Sequence, residues 1–207
     1  MDVNLTDEQQ MMVDSAREFL RDACPLATVR DWEKLPDRYP REIWARMAEM
    51  GWTGAIYPEA FGGLGLTNLD MALLMREMGR VALPSPILST VLLAGRAILA
   101  GGSEAQKQGL LPKIAAGEVL LSFALTEASA RPDAATVRTS ARAVGDGYVL
   151  NGTKHFVEFA EQAGQMLVVA RTSESANLEQ GLTMFLVDAR APGIEYIPLQ
   201  TLALQPQ

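Results

Sequence analysis

AAGEVLLSFALTEASARPD, residues 115–133, is where the chain stops reading as helix and starts reading as strand. Gly117 is a helix-stop residue, and Val119–Leu125 behind it is an apolar run of strand length. The run closes on Thr126-Glu127, small residues, and then Arg131-Pro132-Asp133. A loop of this kind either cradles an anionic group or simply turns the chain.

Upstream of Gly117 the punctuation is helical. Thr6-x-x-Gln9 is a capping-box pattern before a helix with Met12, Phe19 and Leu20 on one side, ended by Cys24-Pro25. A second helix is expected from Arg41 to Met50, stopped by Gly51. Thr67 opens a third with Met71, Leu74, Met75 and Met78 inward. Pro84-Ser85-Pro86 precedes an apolar helix through Val91, Ala94 and Ile98, and Ser103-x-x-Gln106 opens the last one.

Downstream the period falls to two. Val137–Val144 alternates, Gly145-Asp146-Gly147 is a hairpin-type turn, and Tyr148–Leu150 follows. Further strand candidates are His155–Phe159, Met166–Arg171, Leu182–Val187 and Ile194–Leu199, with a polar loop over Thr172–Gln180. Helices first and strands afterwards indicate an α+β chain. The expected organisation is an N-terminal all-helical domain over 1–117 and a middle β domain over 118–207.

Composition narrows the function. Hydrophobic residues make up 48% of the 207, enough for a core, and the net charge of −7 is not concentrated in either part. No basic stripe exists to displace counterions from nucleic acid. The opening MDVNLTDEQQ is acidic and lacks the apolar segment of a secretory signal. No apolar run approaches the roughly 20 residues of a membrane span, so the chain reads as cytoplasmic. Cys24 and His155 are the single members of their types, which leaves no metal-ligand set and no metal site. A serine triad lacks its G-x-S-x-G turn. FGGLGL, residues 61–66, has the glycines of a phosphate loop but neither its spacing nor its lysine. Its glycines read as a tight turn against a neighbour.

No single motif decides the function; the order of several does. LTDEQQMMVDSAREFL (5–20), MAEMGWTGAIYPEAFGGLGL (47–66), GGSEAQKQGLLPKIAAGEVLLSFALTE (101–127) and GDGYVLNGTKHFVEFAEQAGQMLVVART (145–172) occur in that order. In this the chain resembles the acyl-CoA dehydrogenases. The resemblance implies a helical domain, a barrel-like middle β domain and a further helical domain beyond residue 207. It implies FAD as cofactor and an acyl-CoA thioester as substrate, oxidised across its α,β bond. It also implies a homo- or hetero-oligomer with similar subunits. The catalytic glutamate is expected outside these residues, so no catalytic residue is named.

The resemblance places flavin contacts at Phe123, Leu125, Thr126 and Arg131 on one stretch, and at Phe156, Val157 and Glu158 on another. The family's first stretch reads T-E-P-x-A-G-S-D. Here Thr126-Glu127 and Asp133 match, while Ala128, Arg131 and Pro132 replace Pro, Gly and Ser. Pro132 removes a hydroxyl and a backbone N–H together, and the guanidinium of Arg131 offers a phosphate partner in return. The second stretch reads W-I-T-N in the family and Phe156-Val157-Glu158-Phe159 here. Phe156 keeps a flat packing surface. Glu158 stands where a hydroxyl would donate to the flavin, and an ionised carboxylate cannot donate. GRVALPSPIL, residues 79–88, resembles bacterial members built from two unlike subunits, some acting on steroid side-chain CoA thioesters. The alternative reading is therefore a non-catalytic partner subunit with an impaired flavin site.

Overall fold

A computed structural model of the chain describes residues 4–32, 34–36, 38–129 and 133–199. Contacts group the chain into two compact units, Met1–Ser85 with Ile98–Glu118, and Pro86–Ala97 with Val119–Gln207.

The first unit is helical. Its elements are α1 (Asp7–Ala23), α2 (Leu26–Trp32), α3 (Arg41–Glu49) and α4 (Asn68–Arg80), with α5 (Arg96–Gly101) from Ile98 onward and α6 (Glu104–Ala115) later in the chain. Local chemistry sets the starts. Thr6, Thr67 and Ser103 each close a capping box, with Gln9, Asp70 and Gln106 as the reciprocal partners. The core sides follow the 3.6-residue period: Val13, Ala16 and Leu20 on α1, and Met71, Leu74 and Met78 on α4, are buried. Met75 is half-buried.

One buried charge on α4 is compensated locally. Glu77, 1% exposed, accepts from Arg17 and Arg76 at 3.0 Å each and forms an ion pair with Arg80 at 3.2 Å. Arg17 leads in holding its carboxyl below its ordinary value, against the opposing effect of burial. In FGGLGL, a Cβ at Gly63 would strike the backbone carbonyl of Tyr57 and lie 2.6 Å from that of Gly54. The turn packs backbone on backbone, a structural use of its glycines.

The second unit is an open five-stranded sheet among the described residues. The strands are β1 (Leu121–Ala124), β2 (Ser140–Val144), β3 (Gly147–Asn151), β4 (Gln165–Arg171) and β5 (Leu182–Asp188). The long strand β4 lies centrally. It pairs parallel with β1 from Leu121↔Gln165 to Ala124↔Val168, and antiparallel with β5 from Gln165↔Asp188 to Arg171↔Leu182. At its far end Arg171 meets Ser140 of β2, which forms a hairpin with β3 through Gly145-Asp146. β1 and β4 carry the apolar residues Leu121, Ala124, Met166, Leu167 and Val169 into the core, each contributing about 1.5–3 kcal/mol if of Val, Leu or Met size.

The outer edge of β1 is covered by a side chain. Residues Ile87–Gly95 form π-helical turns, and the fully buried Thr90 donates its hydroxyl to Leu121 O (2.9 Å) and accepts from Leu121 N (3.1 Å). Valine at 90 would keep the shape and leave both peptide groups unpaired. Thr90→Val is expected to cost about 1–3 kcal/mol, read as a lowered urea midpoint at unchanged slope.

Two expected strands do not form. His155–Phe159 is irregular because Phe156 and Phe159 both take left-handed backbone, at φ +55° and +54°. Ile194–Leu199 follows a turn at Gly193 (φ +90°) and joins no ladder, with the Tyr196 hydroxyl donating back to Ala189 O at 2.6 Å. The alternating run 137–144 becomes ladder only from Ser140, because the N–H groups of Arg138 and Thr139 are donated to a carboxylate instead.

Candidate functional site

The segment leaving β1 and the segment 152–160 lie side by side, joined at three points. Ser122 Oγ donates to Glu158 O at 2.8 Å, His155 N donates to Thr126 O at 2.9 Å, and Lys154 Nζ donates to Leu125 O at 3.1 Å. Beneath the junction Val157 packs with Ala124, Ala160, Met166 and Ala189.

The junction is held by a buried ion pair. Lys154 Nζ lies 2.7 Å from Glu127 Oε1, and their side chains are 10% and 9% exposed. The Glu127 carboxylate also accepts from Arg138 N (2.7 Å) and Thr139 N (2.9 Å). Burial pushes its pKa up, but Lys154 and these donors outweigh that and hold it at about 2. Lys154 fares differently. Burial pulls its ammonium below its ordinary value in spite of Glu127. Only the carboxylate collects backbone donors as well as the opposite charge, so the pair stabilises the two ions unequally.

Six of the seven residues read from sequence meet here. Phe123, Leu125 and Thr126 are half-buried on β1 and the loop behind it. Among the described residues, neither the N–H nor the hydroxyl of Thr126 has a partner. On the facing segment burial alternates. Phe156 is 59% exposed, Val157 is buried, Glu158 is half-buried, and Phe159 is fully buried. Arg131, like Pro132, lies outside the described residues.

Two phenylalanines in left-handed backbone within four residues are unusual, since each conformation costs of the order of 1–3 kcal/mol for a bulky side chain. Such strain persists where the surroundings fix it. Phe159 is locked in the core, and Phe156 is held with its ring open to solvent. Glu158 sits between them. No described residue bonds or pairs with its carboxyl, and burial alone pushes its pKa above the ordinary value.

The acyl-CoA dehydrogenase N-terminal domain matches residues 6–118, and the acyl-CoA dehydrogenase middle domain matches residues 122–205. The chain belongs to the acyl-CoA dehydrogenase family. It is 37% identical to acryloyl-CoA reductase (NADH) of Anaerotignum propionicum, over 93% of this chain and 49% of that protein. Its fold matches glutaryl-coenzyme A dehydrogenase in its glutaryl-CoA complex, with a TM-score of 0.88 and 30% identity over 100% of this chain and 53% of that one. It also matches the Tcur3481-Tcur3483 steroid ACAD, with a TM-score of 0.85 and 28% identity over 98% and 53%. The chain spans about half the length of these relatives. Among the described residues no helix is long and apolar enough to cross a membrane.

Members of this family are FAD flavoproteins, and the donor set here is compatible with the planar end of that cofactor. Thr126 offers two free donors, and Phe156 offers an open aromatic face. Glu158 fits only conditionally, as a donor when protonated and as a repelling anion when not. The glutamate–lysine pair and Ser122 were not singled out from sequence as site residues. Their signal is a Thr-Glu and a Gly-x-Lys in separate blocks, whose relation becomes visible only when Lys154 reaches back to Glu127.

Proposed function

We propose that this chain supplies a flavin-holding part of an FAD-dependent acyl-CoA dehydrogenase, one that oxidises an acyl-CoA thioester across its α,β bond. The catalytic glutamate would come from outside these residues. The observation that carries the reading is the junction of segments 122–127 and 154–159. It leaves Thr126 with unused donors and Phe156 exposed in a strained backbone, while everything beneath is closed by Lys154, Glu127 and Val157.

When bound, FAD would supply the hydride acceptor. The chain's own part is to bind and orient. Thr126 would donate to the ring system, and the faces of Phe123 and Phe156 would flank it. The backbone from Leu125 to Thr126 would be held still by Lys154 and His155, and Arg131 would pair with the pyrophosphate. The substrate would be an acyl-CoA, and the assembly a homo- or hetero-oligomer of related subunits.

A second reading is favoured by Glu158. With its carboxyl ionised the cradle would repel electron-rich flavin, and the chain would belong to a non-catalytic subunit paired with a competent relative. The likeness to the Tcur3481-Tcur3483 steroid ACAD supports an assembly of two kinds of chain. A visible absorbance spectrum of the purified chain, followed through titration with FAD, separates the two. The first reading expects a red-shifted, structured flavin band that saturates at one FAD per chain. A spectrum that stays the sum of free FAD and protein would reject it in favour of the second.

A further inference from the structure

Glu158 is an ionisable group without a partner among the described residues of the cradle. Its backbone is fixed on both sides, by the Ser122 Oγ bond to its carbonyl and by the left-handed residues Phe156 and Phe159. Its side chain is half-buried beside the exposed Phe156 ring and has no hydrogen-bond or ion-pair partner among the described residues. A half-buried carboxyl without a donor favours its neutral form, because burial penalises only the charged one.

The charges of the described residues around it do not alter that preference. On its own segment, Lys154 is committed to Glu127 and Leu125 O, and neither His155 nor Glu161 pairs with it. Among the described residues, the loop after β1 brings Glu127, which is already fully engaged, and Asp133, which accepts from Thr136 N. From β4 comes Arg171, spent on the carbonyls of Val137, Leu178 and Gln180. At the end of β5, Asp188 accepts from Arg190 N. Burial is the sole cause that moves the Glu158 carboxyl, and it moves it upward.

We infer that the cradle takes up its ligand together with one proton, carried by Glu158, whose neutral carboxyl donates a hydrogen bond to an acceptor atom of the flavin ring system. This rests on the flavin-holding reading above. The proton comes from solvent on binding and returns to it on release, and no covalent bond is made or broken. The exchange of a hydroxyl for a carboxyl then converts a pH-independent donor into one that works only on the acid side of its titration. The sign follows from linkage. Binding that requires the protonated form strengthens as pH falls and weakens by up to about tenfold per unit above the free carboxyl's pKa.

The test is FAD affinity of the full 207-residue chain between pH 5.5 and 8, by quenching of flavin fluorescence, for wild type and Glu158→Gln. Glutamine is a neutral donor of the same size at every pH. Wild type should bind at least about fivefold tighter at the acid end, and Glu158→Gln should bind tightly with a flat profile. A carbon-13 titration of the Glu158 carboxyl should show its midpoint rising when FAD is added. FAD binding with a flat wild-type profile, or an equal slope in both proteins, overturns the inference and leaves the flavin-holding reading intact. Absence of FAD binding in both proteins at every pH overturns both.

Discussion

Lys154→Met should lower the stability of the sheet unit by about 3–5 kcal/mol, the usual consequence of removing one partner of a buried ion pair. The substitution leaves Glu127 9% exposed, still charged, and served only by the N–H groups of Arg138 and Thr139. It also frees Leu125 O, so both segments of the junction loosen together. Glu127→Gln should be nearly as costly, because it strands a buried ammonium. The double variant Glu127→Gln/Lys154→Met should recover part of the loss, since neither charge is then left alone. Chemical unfolding measures all four proteins.

The same pair fixes a pH dependence. Glu127 is held at about 2 against an ordinary 4.5, a difference corresponding to roughly 3 kcal/mol. The folded pKa lies below the unfolded one, so this contribution is fully present above about pH 4.5 and is lost as pH falls toward 2. Wild type should therefore lose stability between about pH 4.5 and 2. In Lys154→Met the carboxylate lacks its main partner, so the remaining acid-sensitive loss should be smaller and be complete at a higher pH, with its onset unchanged.

Gly152→Ala should be the other severe change at the site. A Cβ there would collide with Thr139 Oγ1 and lie 2.7 Å from both Thr139 Cα and Cβ. Those atoms belong to or adjoin backbone and cannot rotate away. Separating the segments costs about 1–3 kcal/mol as overpacking, and it also draws Lys154 away from the Thr139–Glu127 contact. FAD uptake should be lost with it. Gly147→Ala is the control, because its Cβ would meet nothing nearer than Val144 O at 4.0 Å. That variant should stay within about 0.5 kcal/mol of wild type. Thermal unfolding with and without FAD reads both.

The parts of this chain legible in sequence are those governed by near neighbours. Thr6 with Gln9, and Ser103 with Gln106, are three residues apart, and their caps form as the pattern suggests. β4 and β5 follow from short apolar runs. What escaped reading depends on distant partners. Arg138 and Thr139 have strand character, yet a carboxylate eleven and twelve residues earlier takes their N–H groups. The residues 155–159 look like a strand by composition, but the bonds from Ser122 and to Thr126 hold them in a path that needs two left-handed phenylalanines. At the site, Thr126 and Phe156 were marked by resemblance. That Glu158 has no partner among the described residues depends on what does not surround it, and sequence carries no signal for that.

The decisive measurement locates the ligand within the chain. Backbone amide spectra of isotopically labelled protein, collected during FAD addition below pH 6, report each residue separately. The largest changes should fall on Leu125, Thr126 and Phe156–Glu158, with α1 and α4 unmoved. FAD-induced changes that bypass these residues, or none at all, would contradict the assignment of a flavin cradle to the junction between the β1 loop and the Lys154 segment.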